Sequence, residues 1–382
     1  MKNEEWKNVK LEDLCDELSD GLHKAPVFVE NGEYIFVNAK NLAKGYIVDP
    51  DKSKHTSYEE YLKYKIDLNE RTILYSIDGT IGNIARYRGE KCVLGKGACY
   101  INLKKDIFAD FIYYQLQSPH FNRYINHLTT GSTIGHISLK TMRNYTFSLP
   151  PLAEQQRIAK ILSALDDKIE LNNAINRNLE EQAQALFKSW FVDFAPFGGE
   201  MLEDWTIGKL SDIADITMGQ SPDGKSYNEN GDGVVFYQGR AEFGWRFPTR
   251  RLFTTAPSRM AKKYDTLMSV RAPVGDLNIA NEDCCIGRGL AAIHSKDNHQ
   301  SFVHYTIDAL KPKLDMYNGE GTVFGCINRD SLSNMEVIIP CKQNLDKFES
   351  LVSALDAEIF NYSEENQRLI ILRNDLLRYL LE

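Results

Sequence analysis

The chain has 382 residues, of which 43% are hydrophobic and 11% aromatic, and its formal net charge is −8 at pH 7. This composition excludes an intrinsically disordered chain, and the length is sufficient for two or more domains with separate cores. The N-terminus has no apolar run of the kind found in signal peptides and no stretch approaches the length of a membrane span, so we expect a cytoplasmic protein. The seven cysteines include no C-x-x-C pair, which favours reduced thiols over disulfides or a zinc site.

A unit with a period of roughly 190 to 200 residues occurs twice along the chain. The first copy opens near Trp6 and the second near Trp205, and each closes on an apolar run that ends in proline, at Pro150 and Pro340. Between these limits four pairs of segments correspond, namely 34–40 with 235–240, 73–82 with 267–275, 95–97 with 287–289, and 131–135 with 321–325. Their alternation of apolar runs with glycine-containing turns predicts a mixed α/β globule in each copy.

Each copy is followed by a long amphipathic segment. No glycine or proline interrupts about forty residues after Pro151, which predicts a helix of roughly 60 Å. Apolar residues recur along both segments at spacings of three, four and seven, and the seam that they form needs a partner helix. The seam residues are Ile158, Leu162, Leu165, Ile169, Leu179 and Leu186 in the first segment and Leu355, Ile359, Leu369 and Leu376 in the second. A shift of 190 residues superposes Ser-Ala-Leu-Asp at 163–166 on the same sequence at 353–356, which favours a duplicated helix over two unrelated helices.

We therefore predict an α+β fold with an internal pseudo-repeat. The expected domains are a globule at 1–150, a long helix and linker at 151–200, a second globule at 201–340 and a second long helix at 341–382. Residues 195–200, Ala-Pro-Phe-Gly-Gly-Glu, have the composition of a linker between the two copies.

The sequence lacks the patterns that covalent chemistry requires. Gly95-Lys96-Gly97 does not have the spacing of a phosphate-binding loop, and it has glycine where a magnesium-binding Ser or Thr is needed. We find no nuclease-type carboxylate cluster, no metal-ligand spacing among the eight histidines and no Gly-x-Gly-x-x-Gly motif. The Asn-Pro-Pro-aromatic run of amino-methyltransferases is also missing. We therefore expect no catalytic residue and no metal ligand in this chain.

Polar residues that recur with the fold are candidates for recognition instead. Asn38 with Lys40 in the first copy, and Gln238 with Arg240 in the second, follow corresponding apolar runs. An amide side chain can pair with adenine, and Lys or Arg can donate to O6 and N7 of guanine, so these residue types suit base reading in duplex DNA. The alternative is that they are ordinary polar residues at strand ends.

A basic span in an otherwise acidic chain supplies candidate phosphate contacts. The candidates in this span are Arg246, Arg250, Arg251, Lys262, Lys263 and Arg271. Adjacent cations such as Arg250 and Arg251 suit phosphates, which position DNA without revealing its sequence. The local concentration of cations favours this interpretation, whereas the acidic total charge favours a simple solvated face.

Three segments resemble the specificity subunit of type I restriction-modification systems. They are Pro-Pro-Leu-Ala-Glu-Gln-Gln-Arg-Ile-Ala at 150–159, Ala-Leu-Phe-Lys-Ser-Trp-Phe-Val-Asp-Phe at 185–194, and Arg-Ala-Pro-Val-Gly at 271–275. The resemblance extends over essentially the whole chain and includes its duplication. It implies two target recognition domains, each reading one half of a split DNA sequence, joined by two long antiparallel coiled-coil helices that act as a spacer. It also implies modification subunits that bind S-adenosylmethionine and methylate adenine N6, and restriction subunits that use ATP and Mg to translocate and cleave DNA.

The hypothesis from the sequence is a non-catalytic recognition subunit without a cofactor of its own. Such a subunit binds double-stranded DNA and directs methylation and cleavage by partners bound to its helices. Two alternatives stay open. One is a fragment of a fused methyltransferase-nuclease, and the other is a coiled-coil scaffold whose two globules bind proteins or glycans.

Overall fold

The computed structural model of the protein describes residues 6–129, 135–318 and 325–381. The chain forms two compact units, the first made of Met1–Leu171 with Asn366–Glu382 and the second of Asn172–Glu365. Each unit contains one globule and a part of each long helix. The units thus divide both helices, whereas the domain limits drawn from the sequence separate helices from globules, and those limits stay a prediction.

The first unit is built from short strands and helices. Its strands are β1 (Lys7–Lys10), β2 (Cys15–Asp20), β3 (Tyr34–Val37), β4 (Leu42–Ala43), β5 (Tyr46–Ile47), β6 (His55–Thr56), β7 (Thr72–Ser76), β8 (Ile84–Arg86), β9 (Cys92–Leu94), β10 (Ala98–Leu103) and β11 (Thr146–Leu149). Its helices are α1 (Tyr58–Tyr64), α2 (Ala109–Gln115), α3 (Pro119–Thr129), α4 (Leu139–Arg143) and the start of α5 (Leu152–Phe191). One antiparallel sheet has the order β2-β10-β7-β8, and a second has the order β6-β3-β9, with β3 and β9 parallel.

Strand β7 shows why this unit has two hydrophobic clusters. All five of its residues are buried, which is the pattern of a strand covered on both faces. Successive side chains point to opposite faces, so Ile73 and Tyr75 pack with Phe111 of α2 in one cluster. Leu74 packs with Val37 of β3 in the other cluster. The second sheet is thereby fixed against the first.

The second unit repeats this plan. Its strands are β12 (Thr206–Lys209), β13 (Ala214–Met218), β14 (Tyr227–Asn228), β15 (Val234–Tyr237), β16 (Phe253–Thr254), β17 (Met260–Ala261), β18 (Thr266–Ser269), β19 (Leu277–Ile279), β20 (Cys284–Ile286), β21 (Leu290–Ser295) and β22 (Glu336–Ile339). Its helices, besides the end of α5, are α6 (Leu210–Ile213), α7 (Gln300–Ala309), α8 (Lys311–Asp315), α9 (Arg329–Ser333) and most of α10 (Lys342–Leu381). The sheet β13-β21-β18-β19 corresponds to β2-β10-β7-β8, and β15 pairs in parallel with β20 as β3 does with β9. Leu267 and Met268 of β18 likewise point into two separate clusters.

The two long helices predicted from the sequence are confirmed, since α5 and α10 have 40 residues each. Helix α5 begins directly after Pro150 and Pro151, where proline is compatible with a helix start, and Gln155 Nε2 donates to the Pro150 carbonyl at 2.9 Å. The helix ends at Phe191, shortly before Phe194, whose φ of 51° turns the backbone into the left-handed region. Among the described residues, no helix is both long enough and apolar enough to span a membrane.

The predicted apolar seam is only partly buried. Its buried members are Ile158, Leu162 and Ile359. Its half-buried members are Leu165, Ile169, Leu179, Leu186, Leu355, Leu369 and Leu376. The gap in the apolar pattern between Ile169 and Leu179 contains the buried residues Asn172 and Asn176.

The asparagines define the helix pairing within the second unit. Asn172 Nδ2 donates to the Glu365 carboxylate at 2.7 Å, and Asn176 Nδ2 donates to Ser363 Oγ at 3.2 Å. Because the acceptor number falls as the donor number rises, α5 and α10 run antiparallel in this unit. A buried asparagine in an apolar seam fixes register, since a shifted pairing leaves its amide without a partner.

Candidate nucleic-acid interface

In each unit, two chain segments meet at the carboxyl ends of a parallel strand pair. Val37 of β3 lies opposite Leu94 of β9, and Tyr237 of β15 lies opposite Ile286 of β20. Parallel strands end at the same edge of a sheet, so residues 38–40 lie beside 95–97 and residues 238–240 lie beside 287–289. The same backbone hydrogen bond closes each junction at 2.8 Å, from the amide of Gly95 to the Val37 carbonyl and from the amide of Gly287 to the Tyr237 carbonyl.

A hairpin from the other sheet joins each junction. The Ile77 amide donates to the Gly97 carbonyl at 3.0 Å, and the corresponding Val270 amide donates to the Gly289 carbonyl at 2.9 Å. We call the resulting surfaces the first strand-end edge (residues 38–40, 77–82 and 95–97) and the second strand-end edge (238–240, 270–275 and 287–289). Isolated bridges join Asp78 to His136 and Arg271 to Cys326. Most of the matched segments 131–135 and 321–325 lies outside the described residues.

The first strand-end edge carries Asn38 and Lys40. Asn38 is half-buried and precedes a short 3-10 turn. Its backbone N–H donates to Asn41 Oδ1 at 3.1 Å. Lys40 is exposed, and its ammonium donates to the Lys52 carbonyl at 3.2 Å. Asn83 ties the hairpin to this turn, because its Nδ2 donates to the Ala39 carbonyl at 2.8 Å. The edge is therefore held by backbone and amide contacts, with the lysine at its surface.

The second strand-end edge carries Gln238 and Arg240, both exposed. Arg240 Nε forms an ion pair with Asp276 of the hairpin at 2.8 Å, with the guanidinium side chain 52% exposed. Arg271, in the same hairpin, is exposed as well. An exposed ion pair contributes little to stability. Arg240 can therefore exchange the Asp276 carboxylate for a phosphate or a base edge at small cost in free energy.

Arg251 lies at the same edge, whereas Arg250 does not. Arg251 precedes β16, which runs antiparallel to β15, and it forms an ion pair with the buried carboxylate of Glu242, which also accepts from the Gly239 backbone N–H at 3.1 Å. Arg250 forms an ion pair with Glu282, which precedes β20 and so lies at the opposite end of that strand from Gly287. Both guanidinium groups remain about half exposed, with exposed fractions of 46% and 57%.

Arg246 is a correction to the sequence interpretation. It was predicted as a DNA contact, but its side chain is only 4% exposed and it forms ion pairs with Glu180 of α5 and Asp356 of α10. Its Nη2 also donates to Tyr305 Oη at 3.0 Å. A buried guanidinium needs carboxylate partners, and the long helices supply them, so Arg246 fixes the globule on the helices rather than meeting DNA. Burial raises the pKa of the Glu180 carboxyl, an effect that the Arg246 charge opposes.

Lys262 and Lys263 are exposed but lie away from the strand-end edge. They precede β18, whereas Arg271 follows it, so they occupy opposite ends of a strand about 13 Å long. The Lys263 ammonium lies 4.5 Å from the ring centroid of Phe360 on α10 and 4.8 Å from that of Tyr264. The structure therefore does not bring these lysines together with Gln238 and Arg240.

The sequence interpretation missed the residues that dock each globule on its helix segments. In the first unit, Asp166 of α5 accepts from Tyr114 Oη at 2.8 Å and from Arg373 of α10 at 2.9 Å. In the second unit, Asp356 of α10 accepts from Tyr305 Oη at 3.1 Å. The signal was present in the sequence, since Asp166 and Asp356 are the last residues of the superposed Ser-Ala-Leu-Asp segments, but nothing in the sequence paired them with a tyrosine.

Within the described ranges, no cluster of three or more His, Cys, Asp or Glu side chains is arranged to hold a metal ion.

Comparison with known proteins gives consistent matches along the chain. A family model of the type I restriction modification DNA specificity domain matches residues 3–181 and 202–368. A protein of Methanocaldococcus jannaschii, assigned as the type I restriction enzyme MjaX specificity subunit, is 32% identical over 99% of this chain and 93% of its own length. The type I restriction enzyme HindI specificity subunit of Haemophilus influenzae is 25% identical over 72% of this chain and 77% of its own length. The crystal structure of a type I restriction-modification system S subunit from M. genitalium shares the fold, with a TM-score of 0.63 and 19% identity over 100% of this chain and 97% of that one.

Proposed function

The chain belongs to the type I restriction-modification DNA specificity family, and from this membership we propose that its two units read the two halves of a split sequence in double-stranded DNA. The observation that carries the proposal is the duplicated strand-end edge. Each edge presents an amide residue and a cation after corresponding strands, with Asn38 and Lys40 in one unit and Gln238 and Arg240 in the other. These are the side-chain types that recognise base edges in the major groove.

Arg251 and Arg271 complete the second edge as candidate phosphate contacts in this proposal. Half or more of protein–DNA hydrogen bonds go to the backbone, and they position the protein before any base is read. The net charge of −8 does not oppose this role, because binding depends on the cations at the interface rather than on the total charge.

We assign catalysis to partner subunits in the same proposal. Modification subunits would bind S-adenosylmethionine and methylate adenine, and restriction subunits would use ATP and Mg to cleave, while this chain selects the site in the cytoplasm. Exposed apolar residues on the long helices support protein partners there. Leu171 of α5 is 54% exposed, and Leu351 and Ile371 of α10 are 49% and 63% exposed.

The proposal is tested by mapping methylated adenines in genomic DNA. Cells that express this chain with its modification subunit are compared with cells that express the modification subunit alone. We expect a split motif with one modified adenine in each half, present only when this chain is expressed. If the two proteins co-purify and no motif appears, the recognition role is rejected in favour of a scaffold.

The position of the phosphate contacts gives a second test. Arg251→Ala should weaken binding to all duplex sequences about equally and lower the slope of log K against log salt by about 1, because one counterion fewer is released. Lys262→Ala is the matched control, since Lys262 lies at the far end of β18 from Arg271. Equal losses in both variants, measured by fluorescence anisotropy across a salt series, would show that the interface extends beyond the strand-end edge.

A further inference from the structure

We propose that Lys96 and Arg288 are the cations that read a guanine in each half of the target. This inference rests on the proposed function and assigns specificity within it. Lys96 lies between Gly95 and Gly97 after β9, and Arg288 lies between Gly287 and Gly289 after β20. Both cations are exposed, and each occupies the segment beside the amide residue of its strand-end edge.

The glycines allow the segment that carries each cation to approach Asn38 or Gln238 closely. A Cβ atom at Gly95 would lie 2.4 Å from Asn38 Oδ1, and a Cβ atom at Gly287 would lie 2.7 Å from the Gln238 carbonyl oxygen. Both distances are far below van der Waals contact, so a larger residue cannot replace either glycine without moving the edge. The close approach therefore places Lys96 next in sequence to a glycine that contacts the Asn38 side-chain amide, and Arg288 next to one that contacts the Gln238 backbone.

Backbone hydrogen bonds hold each cation from both sides. The Lys96 amide donates to the Leu22 carbonyl at 2.9 Å, while Gly95 and Gly97 are bound to β3 and to the hairpin. The Arg288 backbone N–H donates to Ser221 Oγ at 3.4 Å. On either side of it, Gly287 is bound to β15 and Gly289 to the hairpin that follows β18. Base reading requires a side chain that is attached to a restrained backbone, whereas phosphate binding tolerates attachment to a mobile backbone. The restrained backbone of these residues favours base reading.

The two edges differ in the charge beside the reading cation. In the first, the Lys96 ammonium lies 3.9 Å from the carboxylate of Asp78 in the hairpin. In the second, the corresponding hairpin position is Arg271, which is exposed. Arginine can donate two parallel bonds to guanine O6 and N7, and lysine reaches the same atoms as a point charge. We therefore expect Arg288 to discriminate more strongly than Lys96.

The test maps methylation by the intact assembly with Lys96→Ala and, separately, Arg288→Ala. We expect each variant to lose preference roughly 5- to 150-fold at one G·C pair in one half of the motif, with the other half unchanged. The half affected by Lys96→Ala must differ from the half affected by Arg288→Ala. Arg251→Ala is the matched control, for which all sequences should weaken together, and thermal melting checks that each variant is folded.

The outcomes separate this inference from the proposed function. If the unmodified assembly shows no split motif, the proposed function fails. If the motif is present but both variants retain every base preference, or lose affinity equally for all sequences, Lys96 and Arg288 are not readers and the inference is overturned. Arg288→Lys gives a further check, because it should keep affinity while reducing the preference at the same base pair.

Discussion

Arg246→Met is expected to destabilise the second unit by about 3–5 kcal/mol, because it removes the guanidinium that pairs with two largely buried carboxylates. Glu180 and Asp356, with side chains 15% and 20% exposed, would then face each other without the guanidinium that separates them. The contact to Tyr305 would be lost as well. Urea unfolding followed by circular dichroism measures the change in midpoint and free energy.

The pH dependence of this variant follows from the burial of Glu180. Burial already raises the pKa of that carboxyl, and the Arg246 charge opposes the shift. Removing the charge raises the folded-state pKa further above the unfolded-state pKa, so the ionised carboxylate costs stability as pH rises through the folded-state pKa. The free energy of unfolding of Arg246→Met should therefore fall relative to the unmodified chain as pH rises above the unfolded-state pKa of this carboxyl.

Two controls distinguish a broken buried network from the loss of any arginine. Arg250→Met removes an exposed ion pair with Glu282 and should cost at most about 1 kcal/mol. Adding Glu180→Gln and Asp356→Asn to Arg246→Met should recover part of the loss, because no unpaired charge remains. An Arg246→Met variant as stable as Arg250→Met would contradict the docking role of Arg246.

Phe348→Ala should have an effect of similar size on the second unit. The ring is fully buried, and its centroid lies 5.0 Å from that of Phe191 and 6.0 Å from those of Phe187 and Trp190. It also contacts Phe302 of α7 at 6.4 Å, so a single side chain joins α5, α10 and the globule. Truncation leaves a cavity and removes these ring contacts, which costs about 3–5 kcal/mol.

Leu351→Ala is the matched control for Phe348→Ala. Leu351 is on the same helix, one turn away, and is 49% exposed. Its removal should change the free energy of unfolding by about 0.5 kcal/mol or less, as is usual for surface positions. Denaturant midpoints that shift equally in the two variants would show that α10 does not depend on this aromatic cluster.

The sequence by itself determined the duplication and the two long helices. An uninterrupted apolar periodicity is a local property, and the absence of glycine and proline is sufficient to predict helices close to Leu152–Phe191 and Lys342–Leu381. The repeated segments similarly predicted two mixed α/β globules. They also placed Asn38 and Gln238 at corresponding strand ends, because a strand and the polar residue that follows it are adjacent in the chain.

Only the tertiary structure decided which cations face solvent at one edge. Arg246 stands among other arginines in the sequence, yet its carboxylate partners are 66 and 110 residues away, so no local count could separate it from Arg250. Lys96 is likewise far in sequence from Asn38, and parallel pairing of β3 with β9 brings them together. Burial and ion pairing depend on contacts between distant segments, and these contacts, rather than residue type, divide the basic span into docking and candidate DNA-binding residues.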